Sequence, residues 1–208
     1  TAATSGTDTA GNTGAASAAL TITVDTTAPA APSTPDLATA NDSGSSNTDD
    51  ITNNTTPIIA GTAAADSTVA LTSDLDGVVG TVTADGAGLW STTPTLSEGA
   101  HNLTATSTDV AGNTSIASTA LAVEIDTTAP AAPGTADLDA GSDTGTADDD
   151  DITNNTTPVI AGTAEAGSTI ELTSSLDGVV GTATADGAGL WSVATNVLSH
   201  SNHDLTST

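Results

Sequence analysis

Lysine and arginine are missing from this 208-residue chain, against 26 acidic residues and three histidines, for a formal charge of −26. Without a basic side chain there are no Lys or Arg salt bridges. Every carboxylate must be solvated, hydrogen-bonded or neutralised by dissolved cations. Two carboxylates about 5 Å apart in water repel by roughly 0.8 kcal/mol, and less in salt. One such pair is trivial, whereas clusters of four or five work against compactness. Nucleic acid and anionic membrane are disfavoured partners, because both require positive charge. Cysteine is also absent, which removes disulfides in any compartment. No stretch approaches the roughly 20 apolar residues that span a bilayer, and no targeting or lipidation signal is present in these residues.

The aromatic content is two tryptophans. Cores must therefore be thin, built from Val, Ile, Leu and Ala. At roughly 25 cal/mol per Å² of buried apolar surface they leave a small margin over chain entropy, which a bound metal would widen. Catalysis is not expected, and no catalytic residue is predicted. There is no Cys, Lys or Tyr, no Gly-x-Ser-x-Gly elbow and no phosphate loop. A carboxylate pair for glycoside cleavage would lack an aromatic sugar platform. The same shortage argues against a carbohydrate-binding module. Disorder, the other reading of an aromatic-poor acidic chain, is opposed by the alternation described next.

What the chain does have is repetition. Asp25-Thr26-Thr27-Ala28-Pro29 returns unchanged as Asp126-Thr127-Thr128-Ala129-Pro130, 101 positions later. The same offset joins Asp49–Pro57 to Asp150–Pro158, Leu75–Gly80 to Leu176–Gly181, and Trp90 to Trp191. A period of about 100 residues is too long for a solenoid turn and suits one small domain. The residues divide into a last strand of one domain (1–24), a whole domain (25–125), and a domain over 126–208 that lacks its last strand. Leu20, Ile22 and Val24 alternate with Thr21 and Thr23, as Leu121, Val123 and Ile125 do in the next copy, the mark of a strand with one buried face. Pro29, Pro32 and Pro35 keep the opening segment extended and suited only to a sheet edge. A polar loop runs from Asn41 to Asp50. Strands are then predicted near 58–63, 68–73, 79–84, 89–93, 101–107 and 115–125, with Asp76-Gly77 and Asp85-Gly86 as turns. Nothing has helical periodicity. About seven short strands per 100 residues predict an all-β fold of tandem immunoglobulin-like sandwiches without the inter-sheet disulfide. Trp90 and Trp191 read as core fillers.

The Asp-Thr-Thr-Ala-Pro joints, the Asp/Ser/Gly/Asn loop ending Asp-Asp-Ile-Thr-Asn, and Thr108-Asp109-Val110-Ala111-Gly112-Asn113-Thr114 before the last strand resemble bacterial Ig-like repeats. Such repeats form the extender regions of giant, type I-secreted biofilm and attachment adhesins. The resemblance covers nearly the whole chain. It implies an extracellular or cell-surface rod of many domains, held stiff by Ca²⁺ at and near the joints, with neighbouring domains or adjacent copies in a fibre as partners. No glycine-rich nonapeptide calcium repeat, membrane-retention module or ligand-binding module is present, and the adhesion target is not written in these residues.

Ca²⁺ takes six to eight oxygens at about 2.3–2.6 Å, and loops rich in Asp, Asn, Ser and Gly supply them. Ligands of a repeated site should recur. Asp8/Asp109, Asn12/Asn113, Asp25/Asp126, Asp42/Asp143, Asp49/Asp150 and Asp50/Asp151 do, whereas Asp66 becomes Gly167 and Asp74 becomes Ser175. The metal candidates are therefore Asp8, Asn12, Asp25, Asp42, Asp49, Asp50, Asp109, Asn113, Asp126, Asp143, Asp150 and Asp151. For the crowded loop the alternative is a solvated, turn-capping cluster. Asp74-Leu75-Asp76-Gly77 resembles half an EF-hand loop but lacks the later ligands, and reads as a turn. In a sandwich the loop after the first strand lies where the last strand hands over to Asp126, and the Asp109 turn lies at the opposite end near Asp25. Each joint would thus gather acids from both sides. A filament subunit is the alternative function, residues 1–24 of one molecule completing the 126–208 domain of the next. His101, His200 and His203 are expected at the surface, with His200-x-x-His203 as a weaker transition-metal pair. Asn53, Asn54, Asn102 and Asn113 fall in N-x-S/T sequons, a frequent accident in a Thr-rich chain.

Overall fold

The computed structural model describes residues 4–44, 46–145, 147 and 150–208. Ser45 of the expected polar loop and the first three residues of the leading segment lie outside the described residues. The chain forms two compact units, Thr1–Thr127 and Thr128–Thr208. Among the described residues there is no helix.

The first unit contains β1 (Asp36–Leu37), β2 (Ile51–Thr52), β3 (Ile59–Thr62), β4 (Thr68–Ser73), β5 (Gly77–Thr83), β6 (Leu89–Thr92), β7 (Gly99–Thr108) and β8 (Leu121–Ile125). One sheet has the order β1-β3-β6 and the other β2-β8-β7-β4-β5. The strands follow period-2 burial. Val69, Leu71 and Ser73 of β4 turn inward, as do His101, Leu103, Ala105 and Ser107 of β7. Val69, Leu71, Leu103 and Ala105 make one core with Leu37, Ile59, Trp90, Leu96, Val123 and Ile125. Gly77, at φ 75°, supplies the left-handed residue that closes the β4–β5 turn. Trp90 needs the absence of a side chain opposite it. A Cβ on Gly61 would lie 2.8 Å from its ring Cζ2.

Two expectations need adjusting. The final strand begins at Leu121 rather than near Ser115. Residues 115–120 carry an exposed Ile116 and touch β7 through Ser115 N–H to Ser107 O (2.9 Å) and Ser118 N–H to Ala105 O (2.8 Å). The second is β2, a two-residue strand that runs parallel to β8, Ile51 opposite Glu124 and Thr52 opposite Ile125. Two residues are too few to show periodicity.

The second unit repeats the plan with β9 (Asp137–Leu138), β10 (Val159–Thr163), β11 (Thr169–Ser174), β12 (Gly178–Thr184), β13 (Leu190–Ala194) and β14 (Leu205–Ser207). Its sheets are β13-β10-β9 and β12-β11-β14. A β-bulge falls at Leu172/Thr173 where the first unit has one at Leu71/Thr72. Its core is Ile160, Ile170, Leu172, Val180, Ala185 and Trp191. Trp191 packs over Gly162, where a Cβ would meet Cζ2 at 2.7 Å.

Candidate functional site

The acidic loop between β1 and β2 is folded by its own polar side chains. Thr52 donates its hydroxyl to Asn41 O (2.6 Å), Ser43 Oγ accepts Asn53 N–H (2.9 Å), and Asn41 Oδ1 accepts Ile58 N–H (2.9 Å). The second unit builds the same frame with different residues. Thr153 donates to Ser142 O (2.6 Å), Thr144 Oγ1 accepts Asn154 N–H (2.8 Å), and Ser142 Oγ accepts Val159 N–H (2.9 Å). Inside this frame Asp42 is 8% exposed. Its Oδ2 accepts the Asp50 N–H at 3.3 Å, and its Oδ1 is buried with no hydrogen-bond partner. Asp143 has the same exposure, the same bond from Asp151 N–H at 3.3 Å and the same unpartnered Oδ1. Asp50 and Asp151 both stand at φ 59°, a left-handed conformation that costs a non-glycine residue about 1 kcal/mol. Asp49 Oδ1 accepts Ile51 N–H (3.3 Å) and Asp150 Oδ1 accepts Ile152 N–H (3.1 Å).

These acids repel one another. Burial, then the charges of Asp42, Asp36 and Asp49, push the Asp50 carboxyl above the ordinary aspartate range. Asp36 was not foreseen as a member of this group. Its signal was the recurrence of Asp36-Leu37 as Asp137-Leu138 at the common offset. A buried carboxylate oxygen without a donor costs on the order of 1–3 kcal/mol or more. The donor set is all oxygen, which suits a hard divalent cation. Among the described residues no three of His, Asp and Glu converge closely enough to hold an ion by themselves. An ion here would also need loop carbonyls and water.

The first-unit loop lies at the trailing end of β8. Glu124 N–H donates to Asp50 O and Asp126 N–H donates to Thr52 O, both at 3.0 Å. The structure thus places Asp42, Asp49, Asp50 and the backbone of Asp126 together. Asp109 and Asn113 lie at the other end of β7, where Asn113 Nδ2 donates to Asp25 O at 3.2 Å. Here the carboxylate is already well supplied. Asp109 Oδ1 accepts N–H from Ala111 and Asn113 (both 2.9 Å), and Oδ2 accepts Asn113 Nδ2 (2.9 Å). Asp8 is held identically by Ala10, Asn12 N–H and Asn12 Nδ2. The Asn side chain, first among several hydrogen bonds, lowers the carboxyl of each. Asp25 Oδ1 accepts Thr27 N–H (2.9 Å). The candidates therefore differ: Asp42 and Asp143 each keep one buried oxygen without a hydrogen bond, whereas both carboxylate oxygens of Asp8 and Asp109 are occupied.

Asp74 and Asp76 serve as turn residues. Asp74 takes Asn102 N–H (2.8 Å) and Nδ2 (2.7 Å), and Asp76 takes Ser97 N–H (2.9 Å) and Oγ–H (2.7 Å). Two of the three histidines differ from the expected surface position, whereas His200 is exposed as expected. His101 is 1% exposed, with Nε2 2.8 Å from Ser97 O and Nδ1 2.8 Å from Ser73 Oγ. A carbonyl only accepts, so Nε2 donates to Ser97 O. The ring ties β4, β7 and the Ser97 loop together. His203 repeats it with Ser174 Oγ (2.9 Å) and Ser199 O (2.7 Å), which occupies both nitrogens a metal pair with His200 would need.

In the second unit a groove of about 810 Å³ opens between residues 150–153 and 201–205, floored by Leu138, Ile160, Leu198 and Leu205. Its two walls correspond to β2 and the start of β7, the strands that β8 bridges in the first unit.

A disulfide-free tandem of β-sandwiches with a duplicated acidic loop is the class of protein these observations define. The bacterial Ig-like domain family matches the chain over residues 28–127 and again over 129–208, and the chain belongs to that family. No curated protein matches the sequence. Among solved structures, a chain described as "Biofilm associated protein - BSP domain" is 22% identical, with alignment over 84% of this chain and 26% of that chain and a TM-score of 0.29. The present chain spans about a quarter of its length, and at that score the likeness carries no argument.

Proposed function

We propose that these domains are extender repeats of a bacterial cell-surface or secreted adhesin or fibre, stiffened by calcium at the joints between domains. Family membership and the 101-residue repeat support the structural role. The observation that carries the calcium reading is the buried, unpartnered Oδ1 of Asp42, beside Asp49 and Asp50, and its duplicate at Asp143. A cation would satisfy that oxygen and screen the repulsion that, after burial, raises the Asp50 carboxyl. Support for a joint role comes from the first unit, where the same loop binds the backbone of linker residue Asp126.

Extracellular calcium modules bind with Kd around 10⁻⁴–10⁻³ M. At ten times Kd, binding contributes about 1.4 kcal/mol per site. Calorimetric melting in calcium and in chelator, with solution scattering on the same samples, tests the reading. The expected result is a higher Tm and larger, stiffer dimensions in calcium. Identical melts and identical scattering would overturn it.

A further inference from the structure

An extender domain is loaded through the two points where the chain enters and leaves it. In the first unit these are Asp25, beside the Asp109-to-Asn113 turn, and Asp126, at the opposite end of β7. Tension between them pulls β8 along its own length. Five paired positions hold it to β7 and two parallel positions hold it to β2, so these bonds resist together rather than one at a time. Val123 and Ile125, at 2% and 1% exposure, anchor it in the core as well.

The opening segment is held less firmly. β1 has two paired positions on β3, flanked by Ser33 N–H to Thr62 O (2.9 Å), Thr62 N–H to Ser33 Oγ (2.9 Å) and Ala38 N–H to Ile58 O (3.0 Å). Under load it releases before β8, and the tension passes along the chain to Asn41.

There it meets the acidic loop, which is closed at a neck. Asn41 O accepts the Thr52 hydroxyl (2.6 Å), and Asp42 Oδ2 accepts Asp50 N–H (3.3 Å). Ser43 Oγ accepts Asn53 N–H (2.9 Å) and donates to Asn53 Oδ1 (3.0 Å). These ties join the incoming limb, residues 41–43, to the outgoing limb, residues 50–53. Thr52 is buried and is also the β2 residue opposite Ile125. While the neck is shut, load crosses from Asn41 straight to β2 and β8, and the residues between carry none of it. The second unit keeps the neck with other side chains, Ser142 and Thr144 standing for Asn41 and Ser43.

We infer that the loop from Asn41 to Asn53 is a tension buckle. It stores a length of chain behind a side-chain neck, and a cation bridging the two limbs through Asp42 and Asp50 locks it. This rests on the calcium reading above and gives that site a mechanical role. Opening the neck frees roughly 30–40 Å of chain, at about 3.3–3.6 Å per residue, while β8 stays seated on β7.

The absence of cysteine supplies unique attachment points. The full chain carrying Thr26→Cys and Ala129→Cys, both at exposed positions, is stretched between them by single-molecule force spectroscopy, which loads the first unit alone. In chelator an early lengthening of roughly 30–40 Å is expected ahead of the main rupture. Calcium should move that step to higher force, and Asp42→Asn should abolish the shift. Thr52→Val removes the hydroxyl tie and should lower the force of the step in chelator, whereas Thr52→Ser should restore it. An unchanged length gain at the main rupture shows that each variant is folded. No early step in chelator, or a step that Thr52→Val leaves at the same force, would overturn the inference. A step that moves with Thr52→Val and not with calcium would refute the lock while the neck stood. Calcium calorimetry on the same variants separates the two levels: binding without a shift sinks only the lock, and no binding sinks the calcium reading itself.

Discussion

The two units carry the same loop frames, glycine–tryptophan contacts and histidine ties, yet their cores are not equally buried. In the first, Leu37, Leu96, Leu103 and Thr52 are buried; their counterparts Leu138, Leu198, Leu205 and Thr153 are half-buried. The difference traces to one strand, because β8 supplies Val123 and Ile125 and seals the trough between β2 and β7. In the first unit β8 therefore completes the core, while the acidic loop keeps the same hydrogen-bonded frame in both units. Asp143 and Asp151 keep the geometry of Asp42 and Asp50 although no strand lies beside them.

The largest effect should come from making the first unit resemble the second. Ile125→Asp places a charge in the sealed core and is expected to cost more than about 4 kcal/mol, enough to unfold a marginal domain. Amide exchange should show the first unit losing protection while the second is unchanged. Next, Leu103→Ala should cost about 2–5 kcal/mol, and Leu205→Ala less than half as much, because its surroundings are already open. Urea unfolding of the two variants checks the ratio, and equal losses would break the comparison. Gly61→Ala and Gly162→Ala sharpen it from the other side. Both force a Cβ against tryptophan, so both should lose about 1–3 kcal/mol by the same measurement.

The smallest effect is that of calcium. At ten times Kd, about 1.4 kcal/mol corresponds to a Tm rise of roughly 5–10 °C for a domain of this size. It should depend on pH in a fixed direction. Asp50 has a raised carboxyl, so its own contribution favours the fold below the ordinary aspartate value of about 3.9 and is lost as pH rises past its folded value. Asp74, Asp76 and Asp109 are lowered, mainly by Asn102, Ser97 and Asn113 respectively, so they stabilise above the unfolded value and that support is lost as pH falls through their folded values. Acid should thus weaken the turns while relieving the loop. The calcium increment should vanish below about pH 4, where a carboxylate loop no longer attracts the ion. Scanning calorimetry across pH reads both effects.

Much of this was legible from the residues. Val69, Leu71 and Ser73 announce β4 by alternation, and the doubled Asp109-to-Asn113 motif announces a turn that the hydrogen bonds confirm. Leu20, Ile22 and Val24 show the pattern of a strand without the partner that would make them one. The misses have physical causes. Ile51–Thr52 is too short for a period, and its partner β8 lies about 70 residues on. His101 was placed at the surface because a lone histidine suggests polarity; yet it is in phase with Leu103, Ala105 and Ser107, and that phase was the available signal. Asp36 follows the proline-rich opening segment, and only the return of the chain through Asp42–Asp50 brings its charge near Asp50.

The central claim is that the loop acids hold a divalent cation, and calcium titration of the full chain by isothermal calorimetry tests it most directly. The account predicts two sites per chain with Kd on the order of 10⁻⁴–10⁻³ M, one lost with Asp42→Asn and both lost when Asp143→Asn is added. Absence of binding, or binding untouched by the double substitution, would contradict it.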